Sequence, residues 1–406
     1  MEANDTCEME EPNADAFRLV LIVGIGTTVC IIGIILNSFL LLSLKQLHFL
    51  RTNQLYLFLL AAFDILVEIC FMLIFPVSLV WDYYRVESLY IYWHYYIKYV
   101  STIGQVLIAG STLLIVAASF ERYICSLKSS MQFSDKNRGC VIAVVIICSL
   151  IMKGSVFFEL ELHQLKDCPA FANLRLDLSS ITRSETYKTI WMFWCRSIFN
   201  VFTPFALLLL LNGATLANLS KSNHGFQNIL LERYPRTRAM RNCMTVQSIE
   251  SIPTTSTTLG SISEMSQLCT NTKSQMPTLL CRNSDALIAR RRKRDATRTL
   301  AALVTIYLFT NTLNLLLTIM EFIEPEILRS LGEGWTYKYL ADLSSVLTIS
   351  STAFRLPVYF HCNGDIRTQL RQFAKSCFLP SNDEKKPKSK KLSIPMLKDC
   401  SPESSI

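Results

Sequence analysis

The sequence predicts an all-α membrane protein, a seven-transmembrane helix bundle followed by a short amphipathic eighth helix. Three observations carry that expectation. Of the 406 residues, 50% are hydrophobic and only 18% charged, a balance too apolar for a soluble chain of this length. The apolar residues fall in long blocks, each near the roughly 20 residues that a hydrocarbon core asks of a helix. Charge is segregated along the chain: Glu2, Asp5, Glu8, Glu10, Glu11 and Asp15 precede the first block with no Lys or Arg among them, whereas the segment after the fifth block and the C-terminal tail are rich in both. Basic loops favour the cytoplasmic side, so the N-terminus is expected outside and the C-terminus inside, which requires an odd number of spans.

Residues 1–16 form the expected extracellular tail. Asn4-Asp5-Thr6 is a glycosylation sequon there, and a three-residue pattern also arises by chance. No cleavable signal peptide is apparent, because a positive n-region and a short apolar core are missing. Insertion would be directed by the first helix. The seven-helix domain, 17–360, holds helices near 17–44, 55–80, 99–125, 140–158, 190–219, 299–323 and 337–360. The fourth carries Lys153, and the seventh carries Asp342, Arg355 and a run of Ser and Thr, so their apolar signal is weaker.

Between the fifth and sixth helices, 220–294 is rich in Ser and Thr and poor in aromatics. Such a segment cannot bury enough apolar surface to fold and is expected to be a long disordered, regulatory cytoplasmic loop. After the seventh helix, Ile366, Leu370 and Phe373 recur at helical spacing beside Arg367, Arg371 and Lys375. This predicts an amphipathic helix over 361–376 on the inner membrane surface. Cys377, the start of a cytoplasmic tail (377–406), stands where palmitoylation would add an anchor, or is an ordinary free thiol. Most of the other cysteines fall inside helices or on the cytoplasmic side. Cys7 and Cys168 are the clear extracellular pair, and that compartment is oxidising. They are expected to bridge, or to remain free or pair between molecules.

The net charge of +8 is accounted for by attraction to the inner leaflet and gives no reason to invoke nucleic acid. No nucleotide, zinc or hydrolase motif stands in a usable loop. Hence no enzyme activity, cofactor or metal is expected. What does call for explanation is charge inside lipid, which is costly and usually functional: Asp64, Glu68, Glu121, Arg122, Lys153, Arg196, Asp342 and Arg355.

The order of these residues and their neighbours resembles the rhodopsin-like G-protein-coupled receptors. Asn37, Leu60-Ala61-Ala62-Phe63-Asp64, Glu121-Arg122-Tyr123, Pro204 and Tyr359 stand in that family's order. Phe309-Thr310-Asn311-Thr312 followed by Glu321, together with Asn212 after Pro204, is similar to the invertebrate FMRFamide-type neuropeptide receptors. The resemblance covers roughly 17–220 and 295–376. It implies a multi-pass plasma-membrane receptor for an extracellular peptide, with a heterotrimeric G protein as partner and arrestin and kinases as further ones. Glu121, Arg122, Tyr123 and Tyr359 would serve G-protein coupling, Glu121 restraining Arg122 at rest; the alternative is a pair snorkelling at the interface. Asn37, Asp64, Ser111 and Arg355 would form the central polar network.

The chain departs from that pattern in places. No Cys stands at the outer start of the third helix, the fourth-helix Trp is missing, and the seventh-helix motif reads Arg355-Leu356-Pro357-Val358-Tyr359. Because the family has Asn where this chain has Arg355, an Asp64–Arg355 salt bridge is expected where the family binds sodium; otherwise Arg355 snorkels toward the headgroups. For the ligand, Glu321, Glu324, Glu326 and Glu333 with Trp93, Tyr96 and Trp335 would make an acidic, aromatic mouth suited to an Arg-Phe-amide peptide. Interfacial aromatics serve equally as membrane anchors. A chemosensory receptor for a small molecule is the alternative, and a transporter or channel a third, although no inverted repeat with broken helices is visible.

Overall fold

The computed structural model describes residue 7 and residues 14–45, 55–127, 135–165, 168–218, 295, 297–320 and 335–378. The segment 220–294, Asn4, most of the C-terminal tail and the four glutamates 321, 324, 326 and 333 lie outside the described residues. Residues 1–216 and 297–373 make up one compact unit, and the architecture below is that unit's.

Helix α1 spans Ala16–Leu44. Its first turn is capped by Asp15, whose carboxylate accepts from the Arg18 N–H, satisfying one donor that a helix start leaves open. Leu19–Gly26 follows in π-helical geometry before α-helix resumes at Thr27. Helices α2 (Leu55–Tyr84) and α3 (Glu87–Ser126) are joined by a tight turn in which Arg85 adopts a positive φ of 54°. Helix α3 begins well before the expected residue 99. The stretch 87–98 is dense in aromatics and carries charge, so it lacks a strong apolar signal, yet Tyr90 and His94 pack inward on it.

Helix α4 covers Asp135–Gly154, and a short turn, Val156–Glu159, leads into β1 (Leu160–Gln164). β1 pairs antiparallel with β2 (Leu174–Leu178), Leu162 facing Leu176. The hairpin goes beyond the all-helical expectation, although Leu160-Glu161-Leu162 and Leu174-Arg175-Leu176 have the period-two alternation of half-buried strands. The Tyr90 hydroxyl fastens it to α3, donating to the Leu174 carbonyl at 2.7 Å and accepting its N–H at 3.1 Å.

The fifth helical region, α5, is not a continuous α-helix over 190–219. It comprises π-helical Tyr187–Cys195 and Ile198–Phe202, then Thr203–Asn218. Pro204, which has no N–H to give an upstream carbonyl, stands just beyond the second π segment. Helix α6 spans Thr297–Met320. Helix α7 runs over Trp335–Ala353, breaks at Phe354, and resumes as Arg355–Cys362. Helix α8, Gly364–Phe378, starts later than the expected residue 361 and includes Cys377 in its last turn instead of ending before it.

Five of these helices are long and apolar enough to cross a membrane: α1, α2, α3, α4 and α6. The outward faces carry large apolar residues such as Ile35, Leu150, Leu210 and Phe309, whereas Asn37, Asp64, Glu68 and Ser111 are buried. Apolar residues facing out and polar ones in is the arrangement lipid demands. α8 lies against the end of the bundle opposite the N-terminus. Ile366 and Leu370 join Leu40, Leu44, Leu356 and Tyr359 in one apolar cluster, and Phe373 meets Phe39 edge-on at 5.1 Å.

Candidate functional site

The bundle's polar centre is assembled by α1, α2, α3 and both segments of α7. Asp64 is fully buried on α2. Arg355, the first residue of α7's second segment, donates through Nη1 to Asp64 Oδ1 at 2.5 Å and Oδ2 at 2.6 Å. Ser111 of α3 adds a 3.5 Å contact to Oδ1. The pair foreseen in the sequence is therefore present in the structure, and Arg355 does not snorkel outward. One turn along α2 lies Glu68, an intramembrane charge that the sequence expectation does not include in this network. Its Oε1 accepts from Thr352 at 2.9 Å and from Asn37 at 3.3 Å. The i,i+4 spacing that puts Asp64 and Glu68 on one face of α2 was the signal that could have found it. Helix α1 accommodates the carboxylate only because Gly33 has no side chain: a Cβ there would meet Glu68 Oε1 at 2.2 Å.

Toward the N-terminal end, a second set of charges ties helices together. Arg18 pairs with Asp342 of α7 at 2.5 Å, and Tyr339 donates to Asp15 at 2.6 Å. Glu159 is buried and takes both Arg196 of α5 and, at 2.8 Å, the Tyr187 hydroxyl. Between this layer and the polar centre lies a cavity of about 380 Å³ bordered by α2, α3, α4, α5, α6 and α7. Its polar lining includes Gln105, Lys153, Arg196, Tyr307, Asn311, Asn314 and Arg355. It falls at the small end of the roughly 300–1,000 Å³ typical of ligand sites.

Several residues expected at the ligand mouth have other roles. The Tyr96 hydroxyl donates to the Leu73 carbonyl at 2.7 Å, Trp93 Nε1 to Ile74 at 3.0 Å, and Ser78 to Phe75 at 2.8 Å. Trp93 and Tyr96 thus direct their polar atoms at the backbone of α2, and neither borders the cavity. Trp335 stacks near Tyr339 and under Lys338 at the start of α7.

At the opposite end of the bundle, Glu121 lies buried near the end of α3. Its partner is not the adjacent Arg122, as the sequence suggested, but Arg138 of α4, which donates through Nη2 at 2.9 Å and through Nε to both oxygens at 3.3 Å. Successive residues on a helix point about 100° apart, so Glu121 faces α4 while Arg122 does not. Among the described residues, Arg122 makes no hydrogen bond or ion pair. Tyr359 is buried in the α1–α8 cluster. Cys7 and Cys168 form a disulfide with their Cα atoms 5.5 Å apart, tying the N-terminal tail to the loop of the hairpin.

No protein-family model matches the chain, and no curated protein does. Among solved structures, the crystal structure of squid rhodopsin is similar over 96% of this chain and 97% of its own, with a TM-score of 0.58 at 15% sequence identity. A likeness at that identity establishes the fold. The chain has the rhodopsin-type helical bundle, the fold class its apolar blocks predict.

Proposed function

We propose that this chain is a G-protein-coupled receptor of the rhodopsin-like class, lying in the plasma membrane with its N-terminus outside. The observation that carries this reading is the position of Glu121-Arg122-Tyr123 near the end of α3 in a rhodopsin-type bundle, with Arg122 unengaged by the described residues. A guanidinium available at that end of the bundle suits a partner's backbone carbonyls or carboxylates. Glu121, Arg122, Tyr123 and Tyr359 are then the groups through which a heterotrimeric G protein is engaged. Arrestin and kinases would act on the Ser- and Thr-rich segments, Asn4 would carry a glycan, and Cys377 in the last turn of α8 would be palmitoylated.

For the ligand, the resemblance to FMRFamide-type receptors favours an extracellular peptide, with Glu321 and Glu324 meeting a cationic group and Trp335 nearby. The small-molecule reading is favoured by the limited size of the cavity, which suits a small ligand or only the end of a peptide. Expression in cultured cells, challenged with a peptide library and a small-molecule panel, tests the proposal through G-protein activation. Nucleotide exchange on a G protein is the expected response. A ligand-evoked current or solute flux without exchange would overturn it in favour of a channel or transporter.

A further inference from the structure

The cavity between the two charged layers has an unbalanced lining. It presents Lys153, Arg196 and Arg355, and among the described residues no aspartate or glutamate borders it. Two of these cations are answered from behind, Arg355 by Asp64 and Arg196 by Glu159. Lys153 is not. Its ammonium donates to a neutral acceptor, Gln105 Oε1, at 2.9 Å, and among the described residues it makes no ion pair. An ammonium has three donors, and a charge inside a membrane bundle without a counter-ion is unfavourable.

We propose that the cavity is an anion-recognition site in which Lys153 binds a carboxylate of the ligand. Gln105 holds the lysine side chain in place, Arg196 adds to the positive field, and Asn311 and Asn314 on α6 offer neutral donors and acceptors to the rest of the molecule. The inference rests on the receptor reading for the ligand's role as a signal. It also changes the chemistry expected of that ligand, because an amidated peptide end is neutral and brings Lys153 no carboxylate. Two sources supply the same group: a small carboxylic acid, or a peptide's free C-terminus with its last residue seated in the cavity.

The test needs no G protein, so its outcome is separable from that of the receptor assignment. Purified protein in nanodiscs of uncharged lipid is unfolded thermally while titrated with 3-phenylpropanoate, N-acetylphenylalanine, and the amide of each. The acids should raise the midpoint and their amides should not. A response to the propanoate alone assigns the site to small acids, and one to the acetylated amino acid alone assigns it to a peptide end. Lys153→Met should weaken the acid response at least about tenfold, as expected when one side of a buried charge pair is lost. Gln105→Glu, which supplies an internal carboxylate, should close the site to acids while leaving the protein folded. Equal responses to acid and amide, no response to either, or an undiminished acid response in both variants would overturn the proposal.

Discussion

Arg355 grips Asp64 with one guanidinium nitrogen at 2.5 and 2.6 Å from the two carboxylate oxygens. The contact joins α2 to α7 where α7 restarts after its break at Phe354. Both side chains are buried, 7% and 1% exposed. In such surroundings each charge is tolerable only because the other is there.

The pair should therefore behave as a unit in a double-mutant cycle. Asp64→Asn or Arg355→Gln alone strands a buried charge, at a cost of about 3–5 kcal/mol. The combined variant should lose less than the sum of the two. Thermal unfolding in nanodiscs checks this, and additive losses would mean that the two do not interact. With Arg355 in place, sodium should not alter agonist affinity.

Gly33 is expected to tolerate no side chain. Its Cβ would lie 2.2 Å from Glu68 Oε1, so Gly33→Ala must displace a carboxylate held by Asn37 and Thr352. Overpacking of this kind costs about 1–3 kcal/mol. Adding Glu68→Ala should restore part of the lost thermal stability, an outcome that a general weakness of α1 would not give.

Glu121 and Arg138 should be energetically coupled, whereas Glu121 and Arg122 should not. Truncating one partner of the buried pair leaves the other uncompensated, with a penalty of about 3–5 kcal/mol. Glu121→Gln and Arg138→Gln should lower stability to a similar extent and non-additively. A cycle pairing Glu121→Gln with Arg122→Ala should be close to additive.

Cys7 and Cys168 are bonded across 161 residues of sequence. Closing so long a loop restricts the unfolded chain, an effect of about 2–5 kcal/mol. Mass spectrometry without reduction should recover the linked peptides, and Cys7→Ser should lower the unfolding temperature. Alkylation of both thiols in the native protein would exclude the bond.

What was legible in the sequence is what the membrane enforces. Apolar blocks locate the helices because lipid-facing surfaces must be apolar on every span. The Asp64–Arg355 pair could be read because a buried aspartate needs a counter-charge and Arg355 stands where the resembling family has an Asn. Boundaries failed where that pressure is absent: α3 extends back to Glu87 through aromatic residues held by the hairpin and α2, and α7 breaks at Phe354 beside the charged residue it delivers. The hydrogen bonds from Trp93 and Tyr96 to α2's carbonyls can be read only once α2 and α3 are known to be neighbours. Likewise, motif order suggested Glu121 as the partner of Arg122, whereas helix geometry turns it toward Arg138.

The receptor assignment depends most directly on Arg122. The decisive measurement is agonist-stimulated nucleotide exchange on a heterotrimeric G protein, comparing the natural protein with Arg122→Ala at matched surface expression and agonist occupancy. Exchange should be lost in the variant while agonist binding persists. Full exchange by Arg122→Ala would contradict the account.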